Sequence, residues 1–345
     1  MIIYGLGGRE VPYMPKPKTT YWKQYDLFFK KCSKKKLFKK LKNQSKRIGS
    51  PYKKKGKRGR KLKFSPTNYA AFTCLQKIFR HRYREMELES SLYLPDRADH
   101  STFARNYEKI PEVYIEDLIS SLVEKEYNYL IADSTGISTK IRVERTRQGI
   151  RNKEKLADKL HVVIGYDPPG CSTFVIGAKA SDWHMSDSGG AVKILKGKKY
   201  RAYFFGDSNY NTYELHELIK KCGLIPMIKP DKKGIRKKMS EKAKANNMFC
   251  RNFYKNIRGI VETVFGGATN AGLITTFAKK EHCRRLDSLM IALRHNLTAT
   301  MRLLLRLFYA TNSVFWSWIG YCYLQLDKFL EKLLYINAIY IIWRM

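Results

Sequence analysis

The feature that most constrains the fold is a run of apolar segments between Tyr127 and Lys229. Five of them are rich in β-branched and aromatic residues, which favours strands. The first three follow one another closely around the turn sequence DPPG, so we predict an antiparallel meander. Helical stretches precede each of the last two, so the chain predicts an α/β fold: a mixed five-stranded sheet flanked by helices. The five segments are YNYLIADSTG, KLHVVIGYD, STFVIGAKA, YRAYFFGDS and LIPMIK.

Two of the predicted strands finish on the dipeptide Asp-Ser. LIADS places Asp133 at the end of the first strand, and FFGDS places Asp207 at the end of the fourth. The crossover before the fourth strand permits it to lie beside the first, and both carboxylates would then project into one crevice. Neighbouring carboxylates repel each other unless a cation lies between them, and the hard ions that prefer oxygen ligands are Mg²⁺ and Mn²⁺. The two strand ends therefore predict a divalent-cation site.

A third carboxylate follows on the predicted helix RNFYKNIRGIVETVFGG. Its apolar residues form one face, and Tyr254, Arg258 and Glu262 fall at i, i+4 and i+8 along the edge of that face. We expect this edge to look toward the strand ends, bringing Glu262 to the two aspartates. Two divalent ions held by three carboxylates activate water or a 3′-hydroxyl in phosphodiester chemistry.

Each of these residues also has an ordinary structural explanation. Asp207 could cap the following helix, and Asp133 could be a turn residue. Arg258 and Glu262 could form a plain i, i+4 ion pair.

Other acids and histidines are weaker candidates. Asp167 and Asp187 are better explained as turn or cap residues. His161, inside the second predicted strand, either orients the site or packs in the core.

The charge balance predicts a polyanionic partner, with nucleic acid as the first candidate. The chain has 67 Lys and Arg against 30 Asp and Glu, a net charge of +37 that far exceeds what solubility requires. No acidic residue occurs between Leu27 and Arg84. We expect residues 1–64 to form a basic arm, partly disordered until it binds. The candidate DNA-binding residues are Lys57, Arg58, Arg60, Lys61, Arg105, Lys232, Lys233 and Arg236.

Residues 65–122 predict a small helical DNA-binding domain. Ser65 is a natural N-cap, and Pro66 suits the first helical position. A helix-turn-helix and a plain helical bundle fit the pattern of this segment equally well.

The sequence contains few indications of the cellular compartment. Seven scattered cysteines without a CxxC spacing favour a reducing cytoplasm over a zinc site or disulfide framework. The N-terminus lacks the pattern of a signal peptide. Leu307–Leu326 is uncharged but contains several polar residues, which favours a terminal core or interaction helix over a membrane span. No membrane partner is expected.

Five motifs occur along the chain in this order: YLIADSTG, KLHVVIGYD, YFFGDSNYNT, RGIVETVFG and RHNL. With these motifs the chain resembles the insertion-sequence DDE transposases of bacteria and archaea, which have a ribonuclease H-like catalytic core. The resemblance covers roughly residues 65–308 and implies a catalytic domain at 123–308, followed by an apolar tail at 309–345 of unclear role. It implies that Asp133, Asp207 and Glu262 are catalytic ligands of two Mg²⁺ (or Mn²⁺) ions, with Arg258 positioning a phosphate or the glutamate. A related signature carries a tyrosine one residue closer to the arginine than Tyr254 is, and a later lysine that this chain lacks.

The resemblance further implies an activity and partners. Members of the family bind double-stranded DNA at terminal inverted repeats and assemble as at least a dimer, so we expect a homodimer in a synaptic complex, associated with the nucleoid. They hydrolyse a strand at each element end and join the 3′-hydroxyl to target DNA. Two alternatives stay open: a ribonuclease H-like nuclease or resolvase that does not join strands, and a DNA-binding protein whose catalysis has lapsed.

Overall fold

A computed structural model of the chain describes residues 3–4, 10–11, 33–53, 62–123, 126–146, 149–167, 172–231 and 240–303. Residues through Ala299 form one compact unit. Thr300–Met345 form a second unit, of which the structure describes 300–303. A separate antiparallel pair, β1 (Ile3–Tyr4) and β2 (Glu10–Val11), lies near the N-terminus.

A mixed six-stranded sheet forms the centre of the first unit. In spatial order five strands run β5-β4-β3-β6-β7, and β8 pairs with β3. The first three pair antiparallel, whereas β6, β7 and β8 join in parallel. The sequence predicted the five longer strands but not the short β8, and the structure places β6 beside β3, an arrangement that the sequence permitted. The strands are β3 (Tyr129–Thr146), β4 (Gly149–Asp167), β5 (Ser172–Asp182), β6 (Tyr203–Gly206), β7 (Ile225–Ile228) and β8 (Thr275–Thr276).

The prediction that the first strand of the sheet ends at Asp133 was wrong. β3 continues to Thr146 and remains paired with β4 over that length. The continuation contains β-branched residues such as Thr135 and Ile137, and β4 supplies backbone partners for it. The fourth strand of the sheet, β6, does end immediately before Asp207. The mixed sheet and its helices are consistent with a ribonuclease H-like fold.

Helices cover the sheet on both faces. On one face, α6 and α7 pack Leu195 and Leu215 onto Leu130 and Phe204. On the other, α9 packs Phe253 against Tyr129 and Phe205. The helices after β5 are α6 (Asp187–Leu195), α7 (Tyr213–Lys221), α8 (Glu241–Met248), α9 (Arg251–Arg258), α10 (Glu262–Asn270) and α11 (281–303).

In the described part of the chain, five helices precede the sheet, and the first of them lies in the segment expected to be a basic arm. This α1 helix is folded because Leu37, Phe38 and Leu41 form a buried stripe on an otherwise lysine-rich helix. Phe38 meets the rings of Phe72 and Tyr93 edge-on. The predicted N-cap Ser65 and first helical residue Pro66 of α2 are both observed. The five helices are α1 (Lys34–Ile48), α2 (Pro66–Ile78), α3 (Tyr83–Tyr93), α4 (His100–Tyr107) and α5 (Glu112–Ser121).

The RHNL sequence of α11 joins these helices to the sheet. Asn296 is fully buried, and its side-chain amide accepts from the N–H of Val175 at 2.7 Å. The same amide donates to the carbonyls of Val175 and Ile119. One side chain thus satisfies backbone groups of both the edge strand β5 and the helix α5, which would otherwise be costly to bury.

Within the described ranges, none of the helices is long and apolar enough to cross a membrane. The uncharged segment Leu307–Leu326 and the tail 309–345 lie outside those ranges.

Gly206, at the end of β6, carries the first testable prediction. A Cβ added there would lie 2.9 Å from both Cβ and Cγ of Tyr210, whose ring is fully buried. We expect Gly206→Ala to lower the free energy of unfolding by about 1–3 kcal/mol, because the overpacked ring must move. The matched control is Gly267→Ala in α10, where an added Cβ would meet no atom within 4 Å outside the backbone of its own helix and its chain neighbours, and alanine should stabilise the helix by roughly 0.5–1 kcal/mol. Denaturant titration of both variants measures the difference, and equal effects would contradict the prediction.

Candidate active site

The pairing of β3 with β6 brings Asp133 and Asp207 to the same level of the sheet. In this parallel register Tyr129 lies opposite Tyr203 and Ile131 lies opposite Phe205. Each aspartate lies two positions beyond the last pair between these two strands, Ile131 opposite Phe205. Because side chains alternate along a strand, both carboxylates project on the face that carries α9.

Arg258 connects Asp133 to Glu262. Its Nη2 atom lies 3.1 Å from Oδ2 of Asp133, and its Nη1 atom lies 3.6 Å from Oε1 of Glu262. The Asp133 side chain is 17% exposed, whereas that of Glu262 is 76% exposed. Glu262 is therefore linked to Asp133 by a shared ion pair with Arg258, and it lies at the solvent-exposed edge of the site.

The three predicted carboxylates do not close into one tight cluster. Among the described residues, the only three His, Cys, Asp or Glu side chains whose ligand atoms lie within 4.8 Å of one another are Glu87, Asp99 and His100. That group is explained by its own hydrogen bonds. Nδ1 of His100 lies 2.9 Å from Glu87, which also pairs with Arg97 at 2.7 Å.

The segment carrying Arg258 and Glu262 was predicted as one continuous helix, and this was wrong. Helix α9 ends at Arg258, a 3₁₀ turn occupies Gly259–Val261, and α10 begins at Glu262. Glycine followed by two β-branched residues has low helix propensity, which favours a break at this point. The arginine and the glutamate nevertheless remain within ion-pair distance.

Phe253 fixes α9 on the sheet. Its ring meets Tyr203 and Phe205 edge-on at 5.3 Å between centroids, and Tyr129 at 5.9 Å. Edge-to-face aromatic pairs of this kind are favourable beyond the area they bury. Since Arg258 ends the same short helix, this packing holds its guanidinium beside Asp133.

Asp133 is a carboxylate whose charged form is disfavoured. Burial raises its pKa; the backbone N–H of Ser134 and the guanidinium of Arg258 oppose the rise, and the carboxylates of Asp207 and Asp187 add to it. The donors around this position are carboxylate oxygens, which suit hard divalent cations. A cation there would offset both the burial and the repulsion, so Asp133 and Asp207 fit a Mg²⁺ or Mn²⁺ ion.

Asp207 has a capping role as well as its place beside Asp133. Its Oδ1 atom accepts from the N–H of Asn209 at 2.8 Å, which caps the 3₁₀ turn Ser208–Tyr210. The following helix α7 is capped by Thr212 instead. Among the hydrogen bonds of the described chain, Oδ2 of Asp207 accepts none, so this oxygen is available to a ligand.

Asp187 is a fourth carboxylate near the site, although its sequence position predicted only a turn or cap residue. It begins α6, where its Oδ1 atom accepts from Oγ of Ser134 at 2.6 Å and from Nζ of Lys159 at 3.1 Å. Its Oδ2 atom accepts from Nδ2 of Asn209 at 3.2 Å. Burial alone would raise the pKa of Asp187, but these hydrogen bonds outweigh it and the pKa is lowered.

Asp187 thereby links the two segments that carry Asp133 and Asp207, since Ser134 follows one and Asn209 lies two residues after the other. The only signal in the sequence was its place after Ser186, which also fits an ordinary helix start.

His161 is a packed core residue. It is 1% exposed, its Nε2 atom lies 2.9 Å from Oγ of Ser181, and its ring fills the space beside Gly190. Burial lowers its pKa to about 4, so the ring is neutral at physiological pH. Of the two sequence interpretations, the contacts favour core packing.

Of the predicted DNA-binding residues, Arg105 lies within the described ranges. It is exposed on α4, where its guanidinium donates to O and Oγ of Ser101 at 3.2 and 3.0 Å. The others lie outside those ranges: Lys57, Arg58, Arg60, Lys61, Lys232, Lys233 and Arg236.

Comparison with known proteins gives little. No protein-family model matches the chain, and no curated protein matches it. A similar solved chain is found in the cryo-EM structure of the piggyBac transposase synaptic complex with hairpin DNA. The two are 10% identical over 82% of this chain and 78% of that one, with a TM-score of 0.37.

The raised pKa of Asp133 predicts how stability depends on pH. At low pH the Asp133 carboxyl is protonated in both the folded and the unfolded chain, so its ionisation does not affect the free energy of unfolding. As the pH rises above the unfolded value, the unfolded chain loses its proton first, and the free energy of unfolding falls. We expect Asp133→Asn to raise that free energy by about 0.5–2 kcal/mol at neutral pH, with the gain shrinking in mild acid.

Denaturant titrations at several pH values measure this effect. Asp117→Asn, the same substitution at an exposed carboxylate, should show no comparable gain. A loss of stability in Asp133→Asn at neutral pH would show that Arg258 already compensates the charge.

Proposed function

We propose that this protein is a DDE-type transposase of the insertion-sequence kind, which cleaves DNA strands and joins the freed 3′-hydroxyl to target DNA. The observation that carries the proposal is the common level of Asp133 and Asp207 on neighbouring parallel strands, with Glu262 joined to Asp133 through Arg258. The net charge of +37 supports a DNA partner.

In this proposal Asp133, Asp207 and Glu262 hold two Mg²⁺ or Mn²⁺ ions, which supply Lewis acidity and an activated water in phosphodiester chemistry. The three carboxylates differ in their exposure and in the elements that carry them. Asp133 and Asp207 are carried by packed strands, whereas the exposed Glu262 follows a 3₁₀ turn. Glu262 therefore completes the site when substrate is present.

Arg258 has a positioning role in the proposal. Its guanidinium now neutralises part of the carboxylate charge at Asp133 and Glu262. A planar guanidinium also matches the geometry of a phosphate, so it can transfer from a carboxylate to the DNA backbone. It would then hold either Glu262 or the phosphate next to the reacting bond.

The proposed reaction has two balanced steps. Water attacks a phosphorus at the element end, the bond to the 3′-oxygen breaks, and that oxygen takes up a proton. The resulting 3′-hydroxyl then loses its proton and attacks a phosphorus of target DNA, whose own 3′-oxygen leaves. Binding of terminal inverted repeats by the basic segments, and pairing of two copies of the chain, belong to the same proposal.

The test uses the full-length chain, DNA carrying the sequences that flank its gene, Mg²⁺ and a target plasmid. We expect cleaved and joined products with the unmodified protein. Asp207→Asn should lower both by roughly two orders of magnitude or more, because it removes a carboxylate ligand of the ions that would stabilise the reacting phosphate. Asp117→Asn is the matched control and should leave both unchanged.

The products also separate the alternatives. Cleavage without joined strands would indicate a nuclease or resolvase. Binding of the DNA without cleavage would indicate a lapsed enzyme, and full activity in Asp207→Asn would overturn the site assignment.

A further inference from the structure

A pocket of about 540 Å³ lies between the α2–α3 turn and the segment from β8 to α11. This is within the size range of ligand sites, roughly 300–1,000 Å³. β8 pairs with β3 at Ser138 and Thr139, five and six residues beyond Asp133. At a rise of about 3.3 Å per residue, the pocket lies about 17–20 Å along the strand from the carboxylates.

The rim of the pocket is basic. Two of its lysines are paired with acids, Lys280 with Glu108 at 2.7 Å and Lys77 with Asp287 at 3.3 Å. Three further residues, Arg80, Arg82 and Lys279, are exposed, and among the described residues their cationic side-chain groups form no ion pair with a carboxylate, although the backbone N–H of Arg82 donates to Glu85 at 2.8 Å. The pocket therefore carries uncompensated positive charge.

An exposed aromatic ring stands in the same rim. Phe277 is 64% exposed, and the guanidinium carbon of Arg80 lies over its ring at 5.4 Å from the centroid. Cationic grooves with exposed aromatic side chains are the way proteins hold single-stranded nucleic acid, because each base can stack on a ring while its phosphate meets a cation.

The backbone of Arg80 supplies a separate indication. Its φ is +63°, the left-handed region, and it ends α2 in the position that usually belongs to glycine. Its N–H donates to the carbonyl of Lys77 at 2.9 Å, and the N–H of His81 donates to that of Gln76 at 3.0 Å. An arginine in this strained position is favoured by what its side chain contacts and not by the turn itself.

We propose that this pocket binds an unpaired segment of DNA strand, with one base stacked on Phe277 and the neighbouring phosphates at Arg80, Arg82 and Lys279. The choice of DNA rests on the proposed function. The distance from Asp133 corresponds to about five or six stacked nucleotide steps of 3.4 Å. The pocket would thus hold a strand that leaves the cleavage site, at a position separate from the metal-binding carboxylates.

Binding without divalent cations tests this independently of catalysis. The probe is a fluorescently labelled single-stranded oligodeoxythymidine, followed by anisotropy with the full-length chain in the presence of a chelator. We expect Phe277→Ala to weaken binding on the order of ten-fold, because one stacked base is lost. Leu92→Ala, which removes another exposed apolar side chain outside the pocket, should leave the affinity unchanged.

A series of probes with one abasic position each makes the test site-specific. For the unmodified protein, an abasic site at one position of the probe should lower the affinity about as much as Phe277→Ala does. The Phe277→Ala variant should bind that same abasic probe no more weakly than it binds the intact probe. This comparison is insensitive to the DNA bound by the basic arm.

Arg80→Gly gives a second readout. Removing one phosphate contact should lower the slope of log affinity against log salt by about 0.7. Because glycine suits the left-handed position, the unfolding temperature should stay the same or rise. A purely structural arginine would give the reverse pattern, with lower stability and an unchanged slope.

The proposal would be overturned if Phe277→Ala bound every probe as tightly as the unmodified protein does, or if the substitution weakened binding of duplex as much as binding of single strand. Photo-crosslinking of the unmodified protein to a probe with iododeoxyuridine should label Phe277, and labelling confined to other segments would also overturn it. The outcome is independent of the proposed activity, because a protein that cannot cleave DNA can still show the Phe277 effect, and an active transposase can lack it.

Discussion

The parallel pairing of β3 with β6 is the constraint on which the candidate site depends. Its register sets Asp133 and Asp207 at one level and on one face, where two carboxylates oppose each other in a partly buried position. Like charges so placed are unfavourable without a compensating cation. Arg258 supplies part of that compensation, and the position is suited to accept more positive charge.

Neighbouring residues hold this arrangement in place without taking part in it. Tyr210 packs against Gly206 immediately before Asp207, so the end of β6 has little freedom to move. Asp187 accepts hydrogen bonds from both Ser134 and Asn209, and it thereby connects the segment that carries Asp133 to the segment that carries Asp207. Rigid support of this kind is what allows acidic groups to stay close despite their repulsion.

The sequence was sufficient for the parts of the fold that depend on local pattern. Apolar runs rich in β-branched and aromatic residues identified the five longer strands, and the crossover before β6 permitted it to lie beside β3, where the structure has it. Features set by distant partners could not be predicted in this way. β3 passes beyond Asp133 because β4 pairs with it, and Asp187 has a role only because folding brings Ser134 to it. Gly259 is a sequence signal for the break after Arg258. The apolar residues on either side of it have helical spacing, however, and this spacing favoured a continuous helix.

The way Phe253 packs has a consequence for the response of the site to ionic strength. The guanidinium of Arg258 is placed by aromatic contacts that carry no charge, and hydrophobic packing of this kind is not screened by salt. Dissolved ions act over a Debye length of about 8 Å at physiological salt and weaken exposed phosphate contacts first. A rise in salt therefore screens the exposed charges of the surface, while the acidic residues and their arginine stay assembled.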